Sequence, residues 1–137
     1  MGLVLDSSVV VAAERRGDNV AQLLKQVFAA TGDQRSVLSA VGLTELAHGI
    51  YRAQTAATRT RRESFIRELL NTVEVYPYTR ETALLAAQID GEQQNRGIII
   101  PFADLLIGST ALEVGYALLT ANIRHFQRIP GLSVVRV

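Results

Sequence analysis

The stretch Leu3–Ser8, LVLDSS, joins three apolar residues to an acid and two hydroxyl side chains. The apolar residues favour burial as a strand, whereas the carboxylate of Asp6 needs water, hydrogen bonds or a cation. The following residues, up to Arg15, read as a short helix. A buried strand that leads directly into a helix is the unit from which parallel sheets are built. The stretch therefore predicts an acid at the carboxyl end of a buried strand.

Outward from this unit, strand and helix patterns alternate along the whole chain. Apolar runs and turn residues predict strands at Leu3–Asp6, Arg35–Ser39, Val73–Tyr76, Tyr116–Thr120 and Leu132–Val137. Helical spacing and stop signals predict helices at Ser8–Arg15, Asn19–Ala30, Val41–Ala53, Thr58–Asn71, Thr79–Arg96 and Pro101–Val114, with a helical turn at Ile123–Gln127. Such alternation indicates an α/β protein whose parallel sheet is covered on both faces. Ligands of these sheets bind beyond the carboxyl ends of the strands, where we expect Asp6.

Composition narrows the possible classes of protein. The 137 residues suit one domain spanning 1–137, and 48% hydrophobic with 20% charged residues indicates a globular chain. Cysteine is absent and only two histidines occur, which excludes disulfides, thiolate zinc sites and three-histidine metal sites. No apolar run approaches the roughly 20 residues of a membrane helix, and the N-terminus lacks a signal-peptide pattern, so we expect a cytoplasmic protein. A net charge of +1 does not by itself indicate nucleic-acid binding.

Two further acids lie on predicted helices. Asp104 begins DLLIGSTAL and shares a helical face with Ile107, Gly108 and Ala111, so it points toward the protein and needs a compensating cation, arginine or helix N-terminus. The alternative is an acid of the first turn that interacts with the helix dipole. Glu45, in LTELAHGI, points away from the apolar stripe of its helix, toward the side of Gly49 and Arg52; the alternative there is a solvated acid.

The last long strand is followed by further polar residues, in LLTANIRHF. Thr120 and Asn122 could act as ligands or orienting groups at a strand end, or as ordinary turn and cap residues. His125 could act as a base, although a histidine beside Phe126 in a helical turn is more often structural.

Taken together and in order, four segments resemble one family. They are LVLDSSVV at Leu3–Val10, LTELAHGI at Leu43–Ile50, DLLIGSTAL at Asp104–Leu112 and LLTANIRHFQRIPGL at Leu118–Leu132. The chain resembles the PIN-domain ribonucleases, and most closely the toxins of VapBC-type toxin–antitoxin pairs. The resemblance implies a parallel, five-stranded sheet between helices, a PIN-like three-layer sandwich. It places Asp6, Glu45 and Asp104 on three acidic metal-site positions. Asn122 falls where many members carry a fourth acid and others an asparagine.

The residues themselves favour a metal site in which every ligand atom is oxygen. Such a site selects Mg²⁺ or Mn²⁺ and could hold one ion or two. By resemblance we expect a metal-dependent endoribonuclease toxin that cuts structured RNA, such as tRNA or rRNA loops, and so inhibits translation. Its catalytic residues would be Asp6, Glu45, Asp104 and Asn122; the first three would bind metal. Thr120 and Ser7 would orient them. A VapB-type antitoxin and a second copy of the chain are the expected protein partners.

Three other classes of protein share parts of this pattern. An aspartyl phosphatase also places an acid after a buried strand, but it normally carries a second acid two residues on, where this chain has Ser8. A phosphoacceptor receiver domain needs a late lysine, and the only lysine is Lys25. The open alternative is a non-catalytic nucleic-acid or protein-binding module. Such a module would bind RNA through the arginines of the basic helix, although these side chains are also typical of a solvent-exposed helix face. They are Arg59, Arg61, Arg62 and Arg67.

Overall fold

The computed structural model describes all 137 residues. Its strands are β1 (Gly2–Leu5), β2 (Arg35–Ser39), β3 (Glu74–Tyr76), β4 (Ala117–Thr120) and β5 (Val134–Arg136). Its helices are α1 (Ser7–Arg15), α2 (Val20–Thr31), α3 (Ala40–Tyr51), α4 (Ala56–Thr72), α5 (Arg80–Asn95), α6 (Phe102–Val114) and α7 (Ile123–Phe126). Every element predicted from the sequence is present, and most boundaries lie close to the predicted ones. None of the helices combines the length and the apolar character needed to cross a membrane.

The five strands form one parallel sheet in the order β3-β2-β1-β4-β5. β1 is the central strand: Val4 pairs with Val37 of β2 on one side and with Leu118 of β4 on the other. The chain moves from β1 outward in one direction and later returns to the opposite side of β1. This reversal places a crevice beyond the carboxyl ends of β1 and β4, which is where ligands of doubly wound sheets bind.

Helices cover both faces of the sheet, so the predicted three-layer arrangement is confirmed. One face, with Leu3 and Leu5, packs against α1 to α4; the other, with Val4 and Leu118, packs against α5, α6 and the segment around α7. Successive residues of β1 therefore enter opposite cores, as the two-residue period of a strand requires. All four residues of β1 are buried, so the strand that precedes Asp6 is fixed from both sides.

Candidate active site

Asp6 is the first residue after β1, and it is only 3% exposed. Its position precedes α1, where an acid normally accepts a hydrogen bond from the helix backbone, but its side chain makes no such capping bond. Instead, Oδ2 accepts hydrogen bonds from Ser8 Oγ at 2.6 Å and from Thr120 Oγ1 at 2.9 Å. The two hydroxyls, from α1 and from the end of β4, fix the carboxylate toward the crevice.

The same hydroxyls also tie the end of β4 to the start of α1. Ser8 Oγ accepts a hydrogen bond from the backbone N–H of Ala121 at 3.1 Å, and Thr120 Oγ1 accepts one from the N–H of Asn122 at 2.9 Å. Thr120 Oγ1 thus contacts both Asp6 and the turn after β4, and its role in orienting catalytic groups stays a prediction. The Asn122 side chain makes no hydrogen bond within the chain and is exposed, so its catalytic role stays a prediction.

Asp104 lies in the first turn of α6, and its side chain is 15% exposed. Its Oδ2 is 2.9 Å from Nδ1 of His125 in α7. The burial of Asp104 agrees with the inward orientation predicted from its helical face. The contact with His125 was not predicted, because the two residues are far apart in sequence and only the packing of α7 against α6 brings them together.

Glu45 lies in the middle of α3, and its Oε1 accepts a hydrogen bond from Ser7 Oγ at 2.8 Å. Ser7 therefore contacts a different acid from its neighbour Ser8, since successive residues at the start of α1 point in different directions. Gly49 has open space where a Cβ would stand, and its carbonyl oxygen accepts a hydrogen bond from Arg62.

The three acids influence one another electrostatically. Glu45 is exposed, as the solvated alternative expected, but neighbouring atoms partly desolvate its carboxylate and raise its pKa. The hydrogen bond from Ser7 opposes this shift, and the negative charges of Asp6 and Asp104 raise the pKa further. Burial likewise raises the pKa of Asp104; the charge of His125 opposes it, and the charge of Asp6 adds to it. Like charges held close together and partly desolvated have this effect because each disfavours ionisation of the next. The cluster thus has excess negative charge that a cation would neutralise.

The donor set of this cluster fits a hard divalent cation. Asp6, Glu45 and Asp104 each direct one carboxylate oxygen to a partner in the chain, and no hydrogen bond within the chain reaches the other oxygen. As the side chains stand, however, no three of them are gathered closely enough to form a ready metal cage. Glu45 is instead paired with Ser7 and Asp104 with His125.

The predicted RNA-binding arginines of α4 are largely engaged within the chain. Arg61 Nε is 2.8 Å from Glu14 Oε1, Arg67 pairs with Glu63 at 2.8 Å, and Arg62 donates a hydrogen bond to the Gly49 carbonyl at 2.7 Å. Only Arg59 of the four makes no ion pair or side-chain hydrogen bond. The four therefore do not form a uniformly free basic face.

Comparison with known proteins agrees with this architecture. The family model described as "PIN domain" matches residues 3–132. Ribonuclease VapC1 of Rickettsia felis is 32% identical over 137 residues, which cover all of this chain and 97% of that protein. The tRNA(fMet)-specific endonuclease VapC of Salmonella typhimurium is 29% identical over 100 residues, covering 73% of this chain and 74% of that protein.

Among solved structures, VapBC2 from Rickettsia felis bound to a DNA fragment from its promoter has the same fold. The superposition has a TM-score of 0.86 at 23% identity and covers 100% of this chain and 99% of that chain. The family model covers the acidic cluster and four of the five strands, and the alignment with the Rickettsia relative covers the whole chain. The chain therefore belongs to the PIN domain family, as a member of its VapC ribonuclease group.

Proposed function

We propose that the chain is a metal-dependent endoribonuclease, the toxin of a toxin–antitoxin pair, acting in the cytoplasm with residues 1–137 as one nuclease domain. The observation that carries this proposal is the placement of Asp6, Glu45 and Asp104 near one edge of the sheet, where the charge of Asp6 raises the pKa of both other acids, although the three are not gathered into a metal cage. Each keeps an oxygen free of hydrogen bonds within the chain. The name of the Salmonella relative favours structured RNA such as tRNA as the substrate, and cleavage of such RNA would inhibit translation.

Asp6, Asp104 and Glu45 are the residues that would hold Mg²⁺ or Mn²⁺, as one ion or two. When bound, the metal would supply neutralisation of the scissile phosphate and acidification of a water molecule. The chain's own contribution is to position the carboxylates. Ser8 and Thr120 fix Asp6, Ser7 fixes Glu45, and His125 fixes Asp104.

Glu45 is the carboxylate suited to orient the attacking water and accept its proton. Its carboxylate lies on α3 beside Ser7, and only one of its oxygens accepts a hydrogen bond within the chain, so the other oxygen is available to a water molecule. The Asn122 amide, exposed next to Thr120, would hold a bound water or the RNA backbone at the same edge.

The proposal is tested by incubating the purified protein with bulk tRNA in Mg²⁺ or Mn²⁺ and following the products on denaturing gels. Cleavage should require the metal and stop when a chelator is added. Asp6→Asn should lower the rate by about 100-fold or more with an unchanged circular dichroism spectrum, because removal of a carboxylate from such a site weakens charge stabilisation. The matched control is Asp90→Asn on α5, where the carboxylate contacts only Gln94.

Equal rates for Asp6→Asn and the parent would contradict the proposed role of Asp6. Binding of the same RNA without cleavage in any metal would favour the alternative, a non-catalytic nucleic-acid-binding module of this fold.

An antitoxin of VapB type is the proposed protein partner, since the relative of known fold was solved as a VapBC complex. A basic side chain of the antitoxin would pair with Asp6 and Asp104. The contact of His125 with Asp104 supports this, because it shows that the acid can pair with a basic group of a side chain. A bidentate arginine would satisfy several carboxylate oxygens at once.

A homodimer is the second proposed assembly. Ile99 and Phe102, which flank Pro101 at the start of α6, expose 68% and 72% of their surface. Large apolar side chains exposed together favour burial in an interface. Light scattering of the purified protein tests this: twice the chain mass of 14.9 kDa is expected, and the mass of a single chain would contradict it.

A further inference from the structure

A cavity adjoins the acidic cluster on the side of the sheet covered by α1, α3 and α4. Its volume is about 340 Å³, within the range of pockets that hold small organic groups. Glu45 forms part of its wall, so the cavity lies within one side chain of the proposed reaction site. Its other walls come from α1, α3, α4 and the residue after α3, and none of the residues that line them contacts Asp6 or Asp104 through a side-chain hydrogen bond.

Three arginines line this cavity: Arg15, Arg52 and Arg62. Arg15 ends α1 and Arg52 follows α3; both are exposed, and neither makes an ion pair or a side-chain hydrogen bond within the chain. Arg62 is held in place by its hydrogen bond to the Gly49 carbonyl. These arginines belong to three separate parts of the sequence, which is why the sequence pattern did not group them.

The negative charge of the cavity wall is small by comparison. Glu14 also lines it, but that buried carboxylate is paired with Arg61 at 2.8 Å. Glu45 remains, at the end next to the acidic cluster. The wall therefore offers three cations against one unpaired acid, and it favours an anionic occupant.

The floor of the cavity is apolar and includes one aromatic ring. Leu46, Phe65 and Ile66 contribute to it, and all three are buried and anchored in the core beneath. Nucleobases stack on aromatic and apolar side chains, while their phosphates pair with arginine. A floor of this kind below a rim of guanidinium groups matches a nucleotide, whereas a basic peptide would be repelled by the rim.

We propose that this cavity holds a nucleotide of the RNA strand next to the scissile phosphate, with Arg15 and Arg52 contacting its phosphates and Phe65 its base. The inference rests on the proposed ribonuclease function, since it identifies the substrate-binding part of that site. Arg62 lines the cavity from α4, and its hydrogen bond to the Gly49 carbonyl ties α4 to α3 at this place. The choice of RNA would then depend on the fit of one base in this cavity.

The test measures binding separately from cleavage. A fluorescein-labelled single-stranded RNA of ten nucleotides and mixed sequence is titrated with the full chain in EDTA, over a range of salt concentrations. The double variant Arg15→Gln, Arg52→Gln should raise the dissociation constant by about tenfold or more. It should also lower the slope of log affinity against log salt by about 1.4, because two phosphate contacts are lost.

The matched control is the double variant Lys25→Gln, Arg96→Gln. It also removes two exposed charges that have no partner in the chain, but these lie away from the cavity, on α2 and after α5. Its affinity and slope should stay within about twofold of the parent, since distant exposed charges are screened. Both variants alter surface residues, and unchanged melting temperatures would show that they fold.

The inference would be overturned if the Arg15, Arg52 variant had the same affinity and salt slope as the control. The cavity would then fit a peptide partner instead of RNA. Failure of the parent to bind RNA would overturn it as well. RNA binding that depends on these arginines, without cleavage in any metal, would support the inference and contradict the proposed nuclease function alone.

Discussion

The carboxylate of Asp6 is held by hydroxyl groups from two distant parts of the chain. Ser8 lies next to it in α1 and Thr120 lies near the other end of the sequence, yet both donate to the same oxygen. This arrangement leaves the second oxygen available and prevents the side chain from turning to cap α1. At the scale of single residues, the site is therefore a set of acids whose orientations are fixed mainly by neutral donors.

Substitution of Thr120 by valine tests that description, because valine keeps the shape and removes the buried hydroxyl. We expect Thr120→Val to lose about 1–3 kcal/mol of unfolding free energy, measured with urea, as Asp6 and the Asn122 N–H each lose a partner. RNA cleavage should fall as well. Thr110→Val on α6 removes an equally buried hydroxyl whose bond goes only to the Leu106 carbonyl, so it should lower stability without lowering the rate. Equal effects of both variants on cleavage would contradict an orienting role.

The raised pKa of Glu45 predicts a dependence of stability on pH in metal-free protein. The folded state holds this proton more tightly than the unfolded state, so the folded protein loses stability as pH rises from the ordinary value of 4.5 through the raised pKa. Glu45→Gln, which cannot ionise, should therefore be more stable than the parent at pH 7 in EDTA. That difference should shrink as pH falls through the raised pKa and be lost below 4.5, where both states hold the proton. A difference that is constant between pH 4 and 7 in thermal melts would contradict the raised pKa, which desolvation causes first and the neighbouring acids second.

At the scale of elements, the packing of α7 against α6 brings His125 to Asp104. Gly108 permits this packing: a Cβ there would lie 2.3 Å from Ile129 Cδ1, 3.3 Å from Leu132 Cδ2 and 3.6 Å from Phe126 Cδ1. These apolar residues belong to α7 and the segment after it. The face of α6 that carries Gly108 therefore sets the distance between the two elements.

Gly108→Ala should push the α7 segment away from α6. We expect a loss of about 1–3 kcal/mol from overpacking, seen in urea melts, together with a lower cleavage rate because His125 shifts from Asp104. Gly91→Ala on α5 is the matched control, since a Cβ there meets nothing within 4 Å. It should stabilise the helix by up to about 1 kcal/mol. Higher stability of both variants would show that Ile129 simply moves aside.

Sequence patterns predicted the elements and the position of Asp6 at the end of a strand, because both are local properties. Strand and helix periods give the alternation, and the position of Asp6 after an apolar run places it at a strand end. The partners of the acids could not be predicted in the same way. His125, Ser8 and the convergence of Arg15 with Arg52 depend on how helices pack, and no period in the sequence encodes that. The four α4 arginines looked alike in sequence, although one bonds to a carbonyl of α3 and two pair with acids.

At the scale of the whole molecule, the strand order concentrates negative charge at one edge, beside a cavity with a basic rim. An antitoxin that places an arginine or lysine near Asp6 and Asp104 would compete with the metal. We expect higher Mg²⁺ to weaken inhibition in the purified complex, and alanine at that basic residue to restore cleavage without necessarily dissociating the complex. If the antitoxin with alanine at this position still inhibits completely, and if Mg²⁺ concentration has no effect, then the partner inhibits only by blocking access of RNA.

The most direct measurement of the central claim is calorimetric titration of the full chain with Mn²⁺, without RNA, for the parent, Asp6→Asn and Asp90→Asn. We predict that the parent binds Mn²⁺, that Asp6→Asn binds it at least about tenfold more weakly, and that Asp90→Asn matches the parent. Metal binding would then belong to the acids at the carboxyl edge of the sheet. Equal Mn²⁺ affinity in the parent and Asp6→Asn, or no binding by the parent, would contradict the metal-dependent site.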